Sequence, residues 1–113
     1  MIKLKRVYEK AAKDDGERIL VDRLWPRGLT KQKAKVHLWL KDIGPSTELR
    51  KWFGHDPKRW DAFRTKYRKE LKTKNDLLGV IRKKSKGGTV TLLYGARDTE
   101  HNEALLIKDF FKK

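Results

Sequence analysis

The sequence predicts an α/β protein: a small, mostly parallel sheet of about four strands with helices on both faces, a Rossmann-like three-layer arrangement. Three observations carry that reading. Short apolar runs alternate along the chain with segments of helical spacing, the order in which βαβ units build a parallel sheet. One of those runs, Ile19–Val21, is apolar at consecutive rather than alternate positions, and Val90–Leu93 is apolar but for Thr91, which marks strands covered on both sides. The chain has 113 residues and no repeat or Pro-, Gly- or Ser-rich linker, so residues 1–113 are read as a single α/β domain with one core.

The first strand is expected over Ile2–Tyr8, followed by a turn-rich segment, Ala11–Glu17, where Asp14-Asp15-Gly16 breaks the chain. The second strand, Ile19–Val21, stops at Asp22-Arg23-Leu24-Trp25-Pro26-Arg27-Gly28, because proline and glycine end regular structure. A short helix, Lys31–Lys35, leads into a third strand over Val36–Leu40. Ser46 reads as the N-cap of a helix that puts Leu49, Trp52 and Phe53 on one face and stops at Gly54. Asp56-Pro57 opens the next helix, with Trp60, Phe63, Tyr67 and Leu71 as its buried stripe. At that spacing the aromatics are assigned to the core rather than to base stacking. Asn75 is expected to cap a helix carrying Leu77, Leu78 and Ile81 and ended by Gly87-Gly88. The last strand spans Thr89–Tyr94. Asp98 or Thr99 then caps a C-terminal helix whose Ala104, Leu105, Ile107, Phe110 and Phe111 form a wide apolar face.

Composition excludes several classes. With no cysteine, disulfides and thiolate metal sites are out. No His, Asp and Glu cluster has metal-ligand spacing, so neither metal nor cofactor is expected. No apolar stretch approaches the ~20 residues of a membrane span, and MIKLKRVYEK lacks the apolar core of a secretion signal. A cytoplasmic protein without a membrane partner is the expectation. Thirty Lys and Arg against fifteen Asp and Glu give a net charge of +15, which attracts polyanions. Solubility alone is the competing account; heat adaptation raises Glu together with Lys, and here the acids do not keep pace.

In open α/β sheets ligands collect outside the carboxyl ends of the strands. The second strand delivers Asp22, Arg23, Trp25 and Arg27 there, the third leads to Ser46 and Thr47 at a helix start, and the fourth delivers Tyr94, Gly95, Arg97 and Asp98, with His101 and Asn102 following. Helix amides favour an anion, glycine admits a ligand close to the backbone, and arginines add planar, bidentate donors. The ligand-binding candidates are therefore Asp22, Arg23, Trp25, Arg27, Ser46, Thr47, Tyr94, Gly95, Arg97 and Asn102. Their ligand would be a phosphate- or carboxylate-bearing small molecule such as a nucleotide, with Trp25 stacking on a base or covering the site. Taken singly, Asp22, Arg23, Arg97 and Asp98 are better explained by pairing with one another and with loop amides; taken together, three polar loops meeting at one edge point to a site. If a reaction runs here, His101 or Asp98 is the proton-transfer candidate; His55 reads as a surface or capping residue. No GxxxxGK(S/T), GxGxxG or GxSxG motif is present. The alternative is a nucleic-acid-binding protein without sequence preference. It would use the basic helices (Lys58, Arg59, Arg64, Lys66, Arg68, Lys69, Lys72 and Lys74, then Arg82, Lys83, Lys84 and Lys86), since no helix-turn-helix or RNA-recognition signature appears.

The runs RVYEKAAKDDGERILVDRLWPRG, WLKDIGPSTELRKWFGHDP and TLLYGARDTEHNEALLI, in this order over nearly the whole chain, resemble the YeaO-like family of uncharacterised bacterial and archaeal proteins (domain of unknown function 488). Members of the wider group pair a strand ending in a DVR-like motif with a later strand ending near CAE and a CHR helix start. Asp22-Arg23-Leu24, Tyr94-Gly95-Ala96 and His101-Asn102 stand in the corresponding places. The resemblance implies a compact α/β fold inside the cell and supplies no activity. Tyr94 stands where the wider group often has cysteine, so thiol chemistry does not carry over.

Overall fold

A computed structural model describes residues 1–112. Four strands form, β1 (Ile2–Arg6), β2 (Glu17–Leu20), β3 (Leu38–Trp39) and β4 (Val90–Tyr94). They make one sheet of order β1-β4-β2-β3 in which every pair is parallel. The two apolar runs are thus neighbours at its centre. All five residues of β4 are buried, and β4 pairs with β1 from Ile2↔Val90 to Arg6↔Tyr94 and with β2 from Glu17↔Val90 to Leu20↔Leu93.

The helices are α1 (Lys31–Ala34), α2 (Thr47–Phe53), α3 (Trp60–Leu71), α4 (Asn75–Gly87) and α5 (Glu103–Phe110). Both faces of the sheet are covered, but unequally. Ile19, Val21, Val90, Leu92 and Tyr94 meet the buried residues of α2 to α5 in one large cluster. On the opposite face Val7, Leu20 and Leu93 meet only Ala34 of α1 and the partly buried Trp25, Leu29 and Val36.

That thinner face is completed by charge. Asp15 is buried and accepts from Lys5 Nζ at 2.9 Å, from the Ala12 amide at 3.0 Å and from Arg18. Arg18, also buried, donates to the carbonyls of Ala34 at 2.8 Å and Lys35 at 3.0 Å, and Thr91 Oγ1 donates to Asp15 O at 2.7 Å. Burial pushes the Asp15 carboxyl up, but the Ala12 amide, Lys5 and Arg18 outweigh it and hold it at about 2. Gly16 closes this turn at φ +65°, and a Cβ there would lie 2.1 Å from the Thr89 carbonyl oxygen. No other residue fits.

The element boundaries differ from the sequence reading in instructive ways. Asn102, rather than Asp98 or Thr99, caps α5, its side chain accepting from the Leu105 amide at 3.0 Å. Asp98 closes the preceding turn instead, accepting from the Glu100 and His101 amides. Asn75 is the first residue of α4 rather than its cap. Hydrogen bonds from the Thr73 and Lys74 amides to Glu70 O and Leu71 O carry α3 almost directly into α4, leaving no extended residue to cap it. β3 shrinks to two residues, although His37 N–H and Leu40 N–H still reach Arg18 O and Leu20 O on either side. Among the described residues no helix is long and apolar enough to cross a membrane.

Replacing Asp15 with Ala leaves Arg18 buried without its counter-ion, and should lower the unfolding free energy by about 3–5 kcal/mol in urea titrations at neutral pH. Because the folded carboxyl titrates below its ordinary 3.8, wild type should lose this contribution only as the pH falls from about 4 towards 2. A loss below about 1 kcal/mol would assign the thin face to packing alone.

Candidate ligand-binding site

β2 and β4 end side by side, and the chain beyond them supplies Asp22, Arg23 and Leu24 from one strand and Gly95 and Ala96 from the other. These residues form one side of a cavity of about 240 Å³. The β3–α2 loop adds Pro45, α2 and the turn after it add Arg50, Phe53 and His55, and α3 adds Phe63. His101, Asn102 and Glu103 close it at the start of α5. Phe53 and Phe63 stack at 4.3 Å between ring centroids, so part of the wall is flat and apolar.

Asp22 is the charged group most constrained by the strand ends. Its Oδ2 accepts from the Gly95 amide at 2.7 Å, which ties the two central strands together beyond their ladder. A Cβ on Gly95 would stand 3.0 Å from that oxygen, so only glycine leaves the bond undisturbed. Burial pushes the Asp22 carboxyl up to about 6 against the opposing pull of the Gly95 amide. Among the described residues no cation bonds or ion-pairs with it.

The two arginines at the cavity behave differently. Arg23 is occupied: Nε donates to Pro45 O at 2.9 Å, Nη2 to Gly44 O at 3.0 Å, and Nη1 lies 3.7 Å from Asp42. Lys74 Nζ joins it on Gly44 O at 2.8 Å. Arg23 therefore pins the loop that forms the cavity wall. Arg50 has no such employment; its Nε is buried without a hydrogen-bond partner among the described residues. The helix that carries it is fixed by Ser46, whose Oγ accepts from the Leu49 amide at 3.2 Å and donates to Glu70 at 2.6 Å.

His101 is oriented from behind. Its Nδ1 lies 2.8 Å from Asp98 Oδ2, and its ring meets Trp60 edge-on at 5.1 Å. The Glu100 amide, followed by His101 itself, holds the Asp98 carboxyl below its ordinary value. Asn102 Nδ2 donates to Asp98 O at 3.1 Å, so the turn is braced from both sides.

Of the candidates read from sequence, Asp22, Arg23, Gly95, His101 and Asn102 line this cavity, and Asp98 stands behind His101. The others lie elsewhere. Trp25 donates to Leu29 O at 2.6 Å and packs edge-on against Trp39 at the α1 side of the sheet. Arg27 is exposed, with its carbonyl accepting from Tyr8 Oη at 2.9 Å. Ser46 faces Glu70, Thr47 is exposed in the first turn of α2, Tyr94 belongs to the large core cluster, and Arg97 is exposed. The sequence reading passed over Arg50 and set His55 aside as a surface or capping residue, yet both line the cavity. Arg50 did carry a signal: with Ser46, Leu49 and Phe53 it shares the i, i+3, i+4, i+7 face of α2 that turns inward. His55 sits at φ +58° just after Gly54, a conformation its residue type does not announce.

An all-parallel four-stranded sheet with helices on both faces defines an α/β domain, and the cavity lies outside the carboxyl ends of its central strands. This chain belongs to the DUF488 group, since the family described as "Inactive DUF488-N3 subclade" matches residues 1–113. It is 44% identical to the uncharacterised protein YeaO of Escherichia coli, over 98% of this chain and 96% of that protein. It is 39% identical to the uncharacterised protein Rv3073c of Mycobacterium tuberculosis, over 94% of this chain and 89% of that one. No solved structure matches it.

Because the folded Asp22 carboxyl titrates near 6 and the unfolded one near 3.8, the folded state binds more protons between those values. Stability from this group is thus complete below about pH 4 and lost as the pH rises through 6, at about 1.4 kcal/mol per pH unit. Asp22→Asn keeps an acceptor for Gly95 and carries no charge. It should therefore be more stable than wild type by up to about 3 kcal/mol at pH 8 and equal to it near pH 4. Thermal melts of both proteins across that range check this; a variant less stable at pH 8 would mean that the carboxylate is held by something stronger than the Gly95 amide.

Proposed function

We propose that the chain binds a small phosphate- or carboxylate-bearing molecule in this cavity, in the cytoplasm, as a binding protein rather than an enzyme. The observation that supports this most is Arg50, a residue of the cavity lining whose guanidinium has no hydrogen-bond or ion-pair partner among the described residues. Its outer nitrogens are not sealed from solvent, so an anion in the cavity would gain a charge-assisted bond there. The volume of about 240 Å³ suits a metabolite smaller than a drug-sized ligand; a nucleotide would leave part of itself outside. His101 braced by Asp98 would serve proton transfer in an enzyme, but the description of the matching family as inactive weighs towards binding.

Phosphate, phosphonates and short carboxylates should raise the melting temperature of wild type, as any ligand of the folded state does. Arg50→Gln should weaken that binding roughly tenfold or more, the worth of a charge-assisted hydrogen bond, while leaving the ligand-free protein as stable as before or more so. Calorimetric titration of both proteins decides it: equal affinities would make Arg50 a purely structural residue.

A second reading rests on the outer face of α2 and α3. Trp52 is 38% exposed and lies between two cations, Arg59 at 5.2 Å and Lys66 at 5.4 Å from its ring. Lys58, Lys69 and Lys72 are exposed nearby in the chain, whereas Lys74 is half-buried on Gly44 O and drops out of this surface. A base can stack on such a tryptophan while phosphates meet the cations. Fluorescence anisotropy with an oligothymidine should then show affinity falling steeply with salt. Replacing Lys58, Lys66, Lys69 and Lys72 with Gln should flatten the slope and leave small-anion binding intact. No binding at low salt excludes this reading.

A further inference from the structure

We infer that the ligand carries an ammonium or other N–H donor group beside its anionic group, as in a small amino carboxylate or amino phosphonate, and that Asp22 selects it. This rests on the anion reading of the cavity and narrows the chemical class. The cavity is not uniformly basic. Arg50 brings a guanidinium without a bonded partner among the described residues, its outer nitrogens accessible, but the acidic residues Asp22 and Glu103 belong to the same lining. A ligand that was only an anion would satisfy Arg50 and face both carboxylates; one that was only a cation would satisfy them and leave Arg50 unpaired. A molecule bearing both groups meets each charge with its opposite.

Asp22 is the residue whose chemistry the fold does not explain. Its single side-chain bond is to the Gly95 amide through Oδ2, a task any neutral acceptor performs. Oδ1 has no protein partner among the described residues, yet it is not among the atoms sealed from solvent without one. It is therefore accessible, on a residue that lines the cavity. An ionised carboxylate with no cation bonded to it and one oxygen free is the acceptor half of a recognition pair. Burial also raises its proton affinity, so a donor supplied by the ligand gains more there than it would on a solvated carboxylate. Phe53, Phe63 and Leu24 on the same lining leave room for a modest apolar body between the two polar groups.

The experiment compares matched pairs that differ only in the amine: propionate with alanine, phenylpropionate with phenylalanine, and ethylphosphonate with aminoethylphosphonate. Each is titrated calorimetrically into wild type, Asp22→Asn and Arg50→Gln. In at least one pair the amino member should bind wild type roughly tenfold or more tightly. Asp22→Asn should abolish that preference while still binding the amine-free partner, and Arg50→Gln should weaken both members. Equal binding of the two members of every pair to wild type overturns the inference and leaves the anion reading standing, as does a preference that survives in Asp22→Asn. Failure of every anion to bind, with or without its amine, overturns the anion reading and this inference with it. Wild-type data alone separate equal binding from failure of every anion to bind; only the assignment of the preference to Asp22 calls on the variant, and its thermal melt shows whether it is folded.

Discussion

Everything in this molecule hangs on the last strand being inserted between two others. Val90–Tyr94 is sealed from water along its whole length. Each of its amides and carbonyls must therefore find a partner in the sheet, and both sets of its side chains must meet protein. Pairing with β1 on one edge and β2 on the other meets the first demand. The two clusters on opposite faces meet the second. The same insertion brings the carboxyl ends of β2 and β4 together, and so sets Asp22 against the Gly95 amide. Fold and site are consequences of one pairing choice.

Arginine appears in three employments in this chain, and the contrast shows how a fold sorts residues of one type. Arg18 is buried and saturated, its guanidinium shared between Asp15 and two carbonyls. Arg23 spans a loop as a clamp on Gly44 and Pro45. Among the described residues Arg50 alone is left with a buried nitrogen that the protein does not answer, and its outer nitrogens have no bonded partner either. Structural arginines are recognised by having spent their donors, and a cavity-lining residue that has spent none is available for something else.

Much of the architecture could be read from residue order. Apolar runs identified both central strands, and the stripes of α3 and α4, with Ser46 as cap and Gly54 as stop of α2, appear as expected. Trp52 leaves the stripe of α2 to lie exposed between Arg59 and Lys66, and on α5 Leu106 rather than Leu105 packs against the core. The boundaries that moved did so where tertiary partners intervened. β1 ends at Arg6 because a turn closes from Glu9 N–H to Arg6 O, although Val7 still bonds Tyr94 O. Asn102 took the α5 cap because Asp98 was already engaged with the turn before it. The site was half legible. Residues directly at strand ends, Asp22 and Gly95, follow from the rule that such ends converge. Trp25 and Arg27 lie on a loop that folds over the opposite face, and no local pattern fixes the direction of that loop. Arg50 comes from a helix packed across the sheet, a placement that only the assembled core determines.

The outer margins of the sheet carry a consequence for how copies of the chain meet. Among the described residues β1 has a strand neighbour on one side only, and β3, on the far margin, is two residues long. An unpaired strand margin is a template for fibrous growth. Here β1 alternates Ile2 and Leu4, which pack against the core, with Lys3 and Lys5, held by Asp14 and Asp15 of the following turn. An incoming strand would have to settle beside two tethered lysines on a molecule already at +15. The far margin offers too little backbone to grip. The sheet is finished at four strands, and crowding such chains together should leave them dispersed rather than zipped into ribbons.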